Sequence, residues 1–122
     1  MSRLSEELRN RTKAFASGVI RFYIRLPKGR EEVRVLGKQL LRSGTSVAAH
    51  AREASRARSD AEFCSKLDVL LQEADESQLW LELLEEDCGI SDEKGRHLQV
   101  ESDELIAIFT SIVSQTRRKQ AD

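Results

Sequence analysis

The 122 residues fit a single domain, and a chain of this length buries about two-thirds of the surface that it exposes when unfolded. With 34% charged residues, one proline and 5% aromatic residues, the composition favours long amphipathic helices over strands. The net charge is only −1, no uncharged run approaches the roughly 18 residues of a membrane span, and no signal-peptide core follows Met1, so we expect a cytoplasmic protein and not a membrane or secreted one.

Four helices are predicted from apolar spacing and end signals. They cover residues 5–26, 31–54, 59–88 and 102–119. The first ends at Leu26, because Pro27 lacks a backbone donor and disfavours helix in the preceding residue. The third begins with a capping box, in which Ser59 precedes Glu62 by three positions, and Gly89 supplies its C-terminal stop.

The connection before the fourth helix has the composition of a surface loop. Residues 89–101 are rich in glycine, serine and aspartate, and Lys94-Gly95 has the character of a turn. The fourth helix is expected to begin near Ser102 and to end with basic residues that complement its dipole. One domain over residues 1–122, folded as an all-α, antiparallel up-down four-helix bundle, is therefore predicted.

The second helix carries an apolar stripe with unusually small residues. Its members are Val33, Gly37, Leu40, Gly44, Val47, Ala51 and Ala54. Each interior glycine costs roughly 1 kcal/mol relative to alanine, so something must offset that cost. We expect a close approach of another helix at Gly37 and Gly44, and a bend at Gly44 is the alternative.

A polar stripe with the same spacing runs beside the apolar one. Buried polar side chains must find hydrogen-bond partners, so we expect residues of this stripe to meet acidic residues of the third helix. The predicted structural network contains Gln39, Arg42, Ser43, Ser46, His50, Glu53, Glu73 and Glu76.

Catalysis and metal binding are poorly supported by the sequence. The only histidines are His50 and His97, and neither follows an acidic residue by three positions, as a di-iron bundle requires. Cys64 and Cys88 are too far apart along one helix to bridge, about 36 Å, and are expected to be buried thiols. No phosphate-binding loop or nucleophile motif is present, so we predict no enzyme activity, no metal and no cofactor.

The small net charge hides a strong asymmetry along the chain. Residues 1–58 hold 14 basic and 5 acidic side chains, whereas residues 59–104 hold 3 basic and 15 acidic ones. The two halves either neutralise each other within the bundle or an assembly, or the basic half binds polyanions such as RNA or DNA. In the second case the candidate nucleic-acid-binding residues are Arg21, Arg25, Lys28, Arg34, Lys38, Arg42, Arg52 and Arg56. Without interleaved aromatic residues, such binding should tolerate different sequences and depend on salt.

The alternative function is that of a structural or adaptor protein. Its oligomer would dock another protein through side chains outside the main apolar stripes, and the charge asymmetry would serve self-assembly. The candidates for that interface are Trp80, Leu83, Leu71 and Tyr23.

The chain also resembles a known family over nearly its full length, and the most specific matches lie in helices 2 and 3. The resemblance is carried by Gln39-Leu40, Arg42-Ser43, Ser46-Val47, Glu53-Ala54, Glu62-Phe63, Lys66-Leu67, Glu73, Glu76 and Trp80-Leu81, together with the Leu26-Pro27 turn. These match the four-helix-bundle proteins encoded in intervening sequences of bacterial large-subunit ribosomal RNA genes, a family related to the accessory protein of diversity-generating retroelements. The resemblance implies a barrel-like homopentamer and, from the accessory branch, a basic surface that binds nucleic acid and a reverse transcriptase. The chain departs from the family at His50, where asparagine followed by a bulky aliphatic residue is usual.

Overall fold

Four α-helices and no strand make up the computed structural model, which describes residues 2–121. The prediction of an all-α fold is confirmed. The helices are α1 (Glu6–Arg25), α2 (Glu31–Ser55), α3 (Asp60–Glu86) and α4 (Glu93–Ala121).

The helices alternate in direction around one apolar core. Each helix packs on the next along the chain, and α4 returns to α1. Ion pairs fix that antiparallel arrangement, because Arg25 at the end of α1 meets Asp92 before α4, while Arg11 near the start of α1 meets Glu101 further along α4. The core side chains that are least exposed include Phe15, Val19, Leu40, Leu67, Leu70, Leu84, Leu105 and Phe109.

Local end signals mark the starts of α1 and α3 and the end of α3. The hydroxyl of Ser5 accepts from the backbone N–H of Leu8 at the start of α1, and that of Ser59 accepts from Glu62 at the start of α3. Each bond satisfies a backbone donor that the first turn of a helix leaves without a partner. After α3 the chain turns at Gly89, whose φ of +70° lies in the left-handed region where glycine avoids the clash of a Cβ.

The fourth helix corrects one prediction. It begins at Glu93, so residues 89–101 are not a long loop and Lys94-Gly95 is not a turn. The Asp92 carboxylate accepts from the backbone N–H of Lys94 at 2.8 Å, which caps the helix, and this bond together with Arg25 lowers the pKa of Asp92.

Contacts with α1 explain why this segment is helical despite its composition. Gly95 is buried, and a Cβ built on it would lie 3.0 Å from the ring of Phe22. Leu98, one turn later, is 5% exposed and approaches Gly18 closely. Burial of these residues offsets the low helix propensity of the local sequence.

The glycines of α2 allow the close approach that their spacing predicts. A Cβ on Gly44 would lie 2.8 Å from a methyl carbon of Val19, and one on Gly37 would lie 2.9 Å from Leu26. Because α2 runs without interruption from Glu31 to Ser55, Gly44 serves contact with α1 and does not end or divide the helix.

Both thiols are buried and unbridged, and burial raises the pKa of Cys64. Within residues 2–121, none of the helices combines the length and apolar character needed to cross a bilayer.

Candidate nucleic-acid interface

A half-buried ion-pair network joins α2 to α3. The guanidinium of Arg42 donates to the Glu73 carboxylate at 2.8 Å and to the Glu76 carboxylate at 3.0 Å. The Glu73 side chain is 10% exposed and that of Arg42 is 56% exposed, so the carboxylate is buried and the guanidinium covers it from the solvent side. The hydrogen bond to Glu73 is the main reason that the pKa of Arg42 is raised.

Two buried hydroxyls continue this contact into the core. The Oγ atoms of Ser43 and Ser77 lie 2.8 Å apart, and both residues are fully buried. Ser77 also donates to the backbone carbonyl of Glu73. At Arg42 and Ser43, α2 therefore faces α3 with hydrogen-bonded side chains, which holds the two helices in one register.

The other members of the predicted network do not all join it. Ser46 and His50 contact each other on α2 at 3.0 Å, and Glu53 accepts from Lys66 of α3 at 2.8 Å. That hydrogen bond lowers the pKa of Glu53. Gln39 lies exposed on α2, and no side-chain hydrogen bond joins it to the network within the described chain. Gln39 therefore does not join the predicted network, and Arg42 is the residue of α2 that holds the carboxylates of Glu73 and Glu76.

Half of the predicted nucleic-acid-binding residues form ion pairs or hydrogen bonds with other groups of the chain. Arg42 is held as described, and Arg25 pairs with Asp92 at 3.1 Å. Lys28 caps the end of α1 by donating to the carbonyls of Tyr23 and Leu26. Arg34 donates to the carbonyl of Lys28 and lies 3.6 Å from Glu31. These four cations already bind groups of the chain itself, so they are less available to bind an external partner.

The remaining predicted cations are exposed and without an ion pair in the described part of the chain. They are Arg21, Lys38, Arg52 and Arg56. Arg21 lies on α1 beside the cleft with α4, and Lys38 lies near the start of α2. Only Arg52 and Arg56 lie together, at the end of α2.

Arg52 and Arg56 form one wall of an open groove that the sequence did not reveal. Because α1 and α2 are antiparallel, the start of α1 lies beside the end of α2 and contributes Arg9 and Lys13 to the opposite wall. Arg58, which lies just before α3, also lines the groove. We name the groove formed by these five residues the basic groove; its volume is about 1180 Å³.

A sequence signal for the second wall did exist. Arg9 and Lys13 are four residues apart on the side of α1 away from the core, so they share a face. Their position opposite Arg52 and Arg56 depends on the pairing of α1 with α2, which spacing within one helix does not specify.

The acidic residues of the basic groove only partly neutralise it. Glu6, Glu53 and Glu62 also line it, together with Lys66. Glu53 is already paired with Lys66, so two further carboxylates face five cations that have no ion pair in the structure as described. The groove therefore has a positive balance and attracts anions.

No arrangement for catalysis is evident in this region. Among residues 2–121, no group of three histidine, cysteine or acidic side chains is placed to hold a metal ion.

The floor of the basic groove is formed by small side chains, including Thr12, Ala48 and Ala49. Guanidinium and ammonium groups around a shallow floor suit the binding of phosphates.

Apolar side chains are also exposed on α2 and α3. They are Val35 of α2 and Leu79 of α3, which are 49% and 46% exposed, and the half-buried Trp80 and Leu83 follow Leu79 within one turn of α3. We name these four residues the Trp80 patch. The indole N–H of Trp80 is the one buried side-chain polar atom without a hydrogen-bond partner in the described chain. Of the other predicted interface residues, Leu71 is half-buried against the core and the ring of Tyr23 is covered by Lys28.

Comparisons with known proteins agree with this architecture. The sequence profile of the family described as “23S rRNA-intervening sequence protein” matches residues 6–111. A crystal structure of a protein with unknown function from the S23 ribosomal protein family of Bacteroides thetaiotaomicron is 35% identical in sequence, with a TM-score of 0.78. The match covers 87% of this chain and 97% of that one. No functionally curated protein matches the chain.

Proposed function

We propose that this chain, which belongs to the family of 23S rRNA-intervening sequence proteins, is a non-enzymatic protein that binds RNA or DNA with little sequence preference through the basic faces of α1 and α2. The observation that carries the proposal is the basic groove, where Arg9, Lys13, Arg52, Arg56 and Arg58 converge without ion pairs in the described structure. Elsewhere on these helices, Arg11, Arg25 and Arg42 are paired.

The binding mode follows from the chemistry of the groove. Arginine presents a planar fork of donors that matches the oxygens of a phosphate, and four of the five cations are arginines. The lining contains five cations without ion pairs in the described chain but a single carboxamide, Asn10, so we expect contacts to the sugar-phosphate backbone to dominate. Affinity should then fall steeply with salt as counterions are released.

Replacement of Arg52 by alanine tests the proposal. We expect Arg52→Ala to weaken binding of a labelled RNA or DNA about tenfold at 50 mM salt, and to reduce the slope of log affinity against log salt by about 1. Fluorescence anisotropy at 50 to 200 mM salt measures both quantities. The matched control is Arg118→Ala, since Arg118 is an exposed cation near the end of α4, outside the groove. Equal losses in the two variants, or no binding by the unmodified protein at 50 mM salt, would contradict the proposal.

We further propose that the chain assembles with copies of itself, which is also the expectation for the alternative, adaptor-type function. The family resemblance implies a barrel-like homopentamer. The Trp80 patch favours self-association, because it leaves Val35 and Leu79 exposed, and α3 also carries Asp75, Glu82 and Glu86 without ion pairs in the described chain. On α1, Ile20 and Ile24 are exposed and Arg21 directly follows Ile20, so α1 of one copy offers apolar surface and positive charge to α3 of another.

A charge placed in the Trp80 patch should disrupt that assembly. We expect Leu79→Glu to shift the mass measured by size-exclusion chromatography with light scattering toward the monomer, because a carboxylate cannot be buried in an apolar contact without a partner. Val100→Glu is the control, since Val100 is 56% exposed and lies on α4 away from the patch. A monomeric unmodified protein, or an unchanged mass for Leu79→Glu, would contradict the proposal.

A further inference from the structure

None of the six aromatic side chains, all of which lie within residues 2–121, lines the basic groove. All four phenylalanines are at most 5% exposed: Phe15, Phe22, Phe63 and Phe109. The Tyr23 ring lies under the Lys28 ammonium, 4.4 Å from it, at the end of α1 that is distant from the groove. Trp80 belongs to the α2/α3 side.

The absence of aromatic residues in the groove lining limits what it can recognise. Proteins that bind single strands gain much of their affinity by stacking unpaired bases on aromatic rings. The floor of the basic groove offers only small side chains, such as Thr12, Ala48 and Ala49. Unpaired bases would therefore gain little in this groove, and phosphate contacts must supply the affinity.

The cations also have a two-sided arrangement. Arg9 and Lys13 form one row on α1, and Arg52 of α2 and Arg56, the residue directly after α2, form a second row. Within each row the residues are four apart, which corresponds to about 6 Å along the helix axis. A duplex presents two rows of phosphates across one groove and one charge per about 1.7 Å of its axis, a higher density than that of a single strand.

We propose that the basic groove binds the paired phosphate backbones of double-stranded nucleic acid in preference to single strands. The proposal rests on the proposed function and specifies the class of nucleic acid at the same site. In a duplex, the two strands are held at a fixed separation, so their phosphates can contact both rows of cations. A single strand must order its flexible backbone to make the same contacts, and the lost conformational entropy weakens its binding.

The test compares a labelled 20-base-pair duplex with an unstructured single strand of equal length, as RNA and as DNA. We expect at least tenfold tighter binding of the duplex at 50 mM salt. If all five groove cations contact phosphates, raising the salt from 50 to 200 mM should weaken duplex binding about 500-fold and single-strand binding about 130-fold. Single strands that bind as tightly as duplexes would overturn this inference.

A gain-of-function variant gives a second test, which asks whether the groove lacks a stacking surface for unpaired bases. Ala49 is exposed and lines the groove, so Ala49→Trp places a stacking surface where none exists. We expect Ala49→Trp to bind the single strand about tenfold more tightly than Ala49→Leu, which adds bulk without an aromatic ring, and the two variants to bind the duplex equally. An equal gain for the duplex would show that bases already reach the floor, and the inference would be wrong.

The failures of the two proposals can be distinguished. If neither duplex nor single strand binds at 50 mM salt, the proposed nucleic-acid function fails and this inference fails with it. If both bind equally and both depend on Arg52, the proposed function holds and only the preference for duplexes is wrong.

Discussion

Substitution of Arg42 by alanine is expected to lower the free energy of unfolding by about 2 to 3 kcal/mol, and substitution of Glu73 by only about 1 kcal/mol. The difference follows from burial. Without Arg42, the Glu73 side chain, which is only 10% exposed in the intact protein, loses its cation, whereas without Glu73 the guanidinium of Arg42 remains accessible to water and to Glu76. Urea denaturation followed by circular dichroism, at one protein concentration, measures both values.

Lys38 supplies the control for this comparison. It lies one turn before Arg42 on α2, is exposed, and forms no ion pair with any described residue. Lys38→Ala should change the free energy of unfolding by less than about 0.5 kcal/mol. If Arg42→Ala were as mild as Lys38→Ala, the network would contribute nothing to stability, and the link between α2 and α3 would depend on apolar packing alone.

Gly44→Ala is the second substitution with a large expected effect, a loss of about 2 kcal/mol of stability. The added Cβ would lie 2.8 and 2.9 Å from the two methyl carbons of Val19 and 3.1 Å from its Cβ. Valine is branched at Cβ and fully buried here, so it cannot move aside easily. The steric cost exceeds the gain of roughly 1 kcal/mol that alanine brings to a helix interior.

A double-mutant cycle with Val19→Ala tests this cause directly. Removal of the two methyl groups opens the space that the new Cβ needs. In the Val19→Ala background, Gly44→Ala should therefore be neutral or stabilising by up to about 1 kcal/mol. Gly29→Ala is the matched control, since a Cβ at Gly29 meets nothing within 4 Å. A loss at Gly44 that persists without the valine methyl groups would mean that strain in the backbone, and not contact with α1, is responsible.

The two substitutions concern different kinds of contact at the interfaces of α2. Toward α1 the helix presents glycines that allow close approach, and toward α3 it presents Arg42 and Ser43 with satisfied hydrogen bonds. Apolar contact tolerates sliding more readily than hydrogen bonds do. The polar side of α2 therefore sets its register, and the glycine side sets its distance from α1.

The candidate site was only partly predictable from the residues. The basic character of the first 58 residues is plain in the sequence, and Arg52 and Arg56 were identified there. Arg25, Lys28, Arg34 and Arg42 were identified with them, although each is held by a carboxylate or a backbone carbonyl of the chain. Their exposure to a partner depends on residues up to 67 positions away, such as Asp92 for Arg25.

The sequence by itself determined the number of helices, the limits of the first three to within two residues, and the small-residue contact of α2. These features depend on signals within a turn or two of the chain, such as the Ser59 cap, Pro27 and the spacing of Gly37 and Gly44. Only the tertiary structure decided where α4 begins and which cations remain available. The burial of Gly95 and Leu98 against α1 made a segment of loop-like composition helical. Pairing between distant helices neutralised some arginines and brought others together in the basic groove, because charge interactions depend on distance in space and not on distance along the chain.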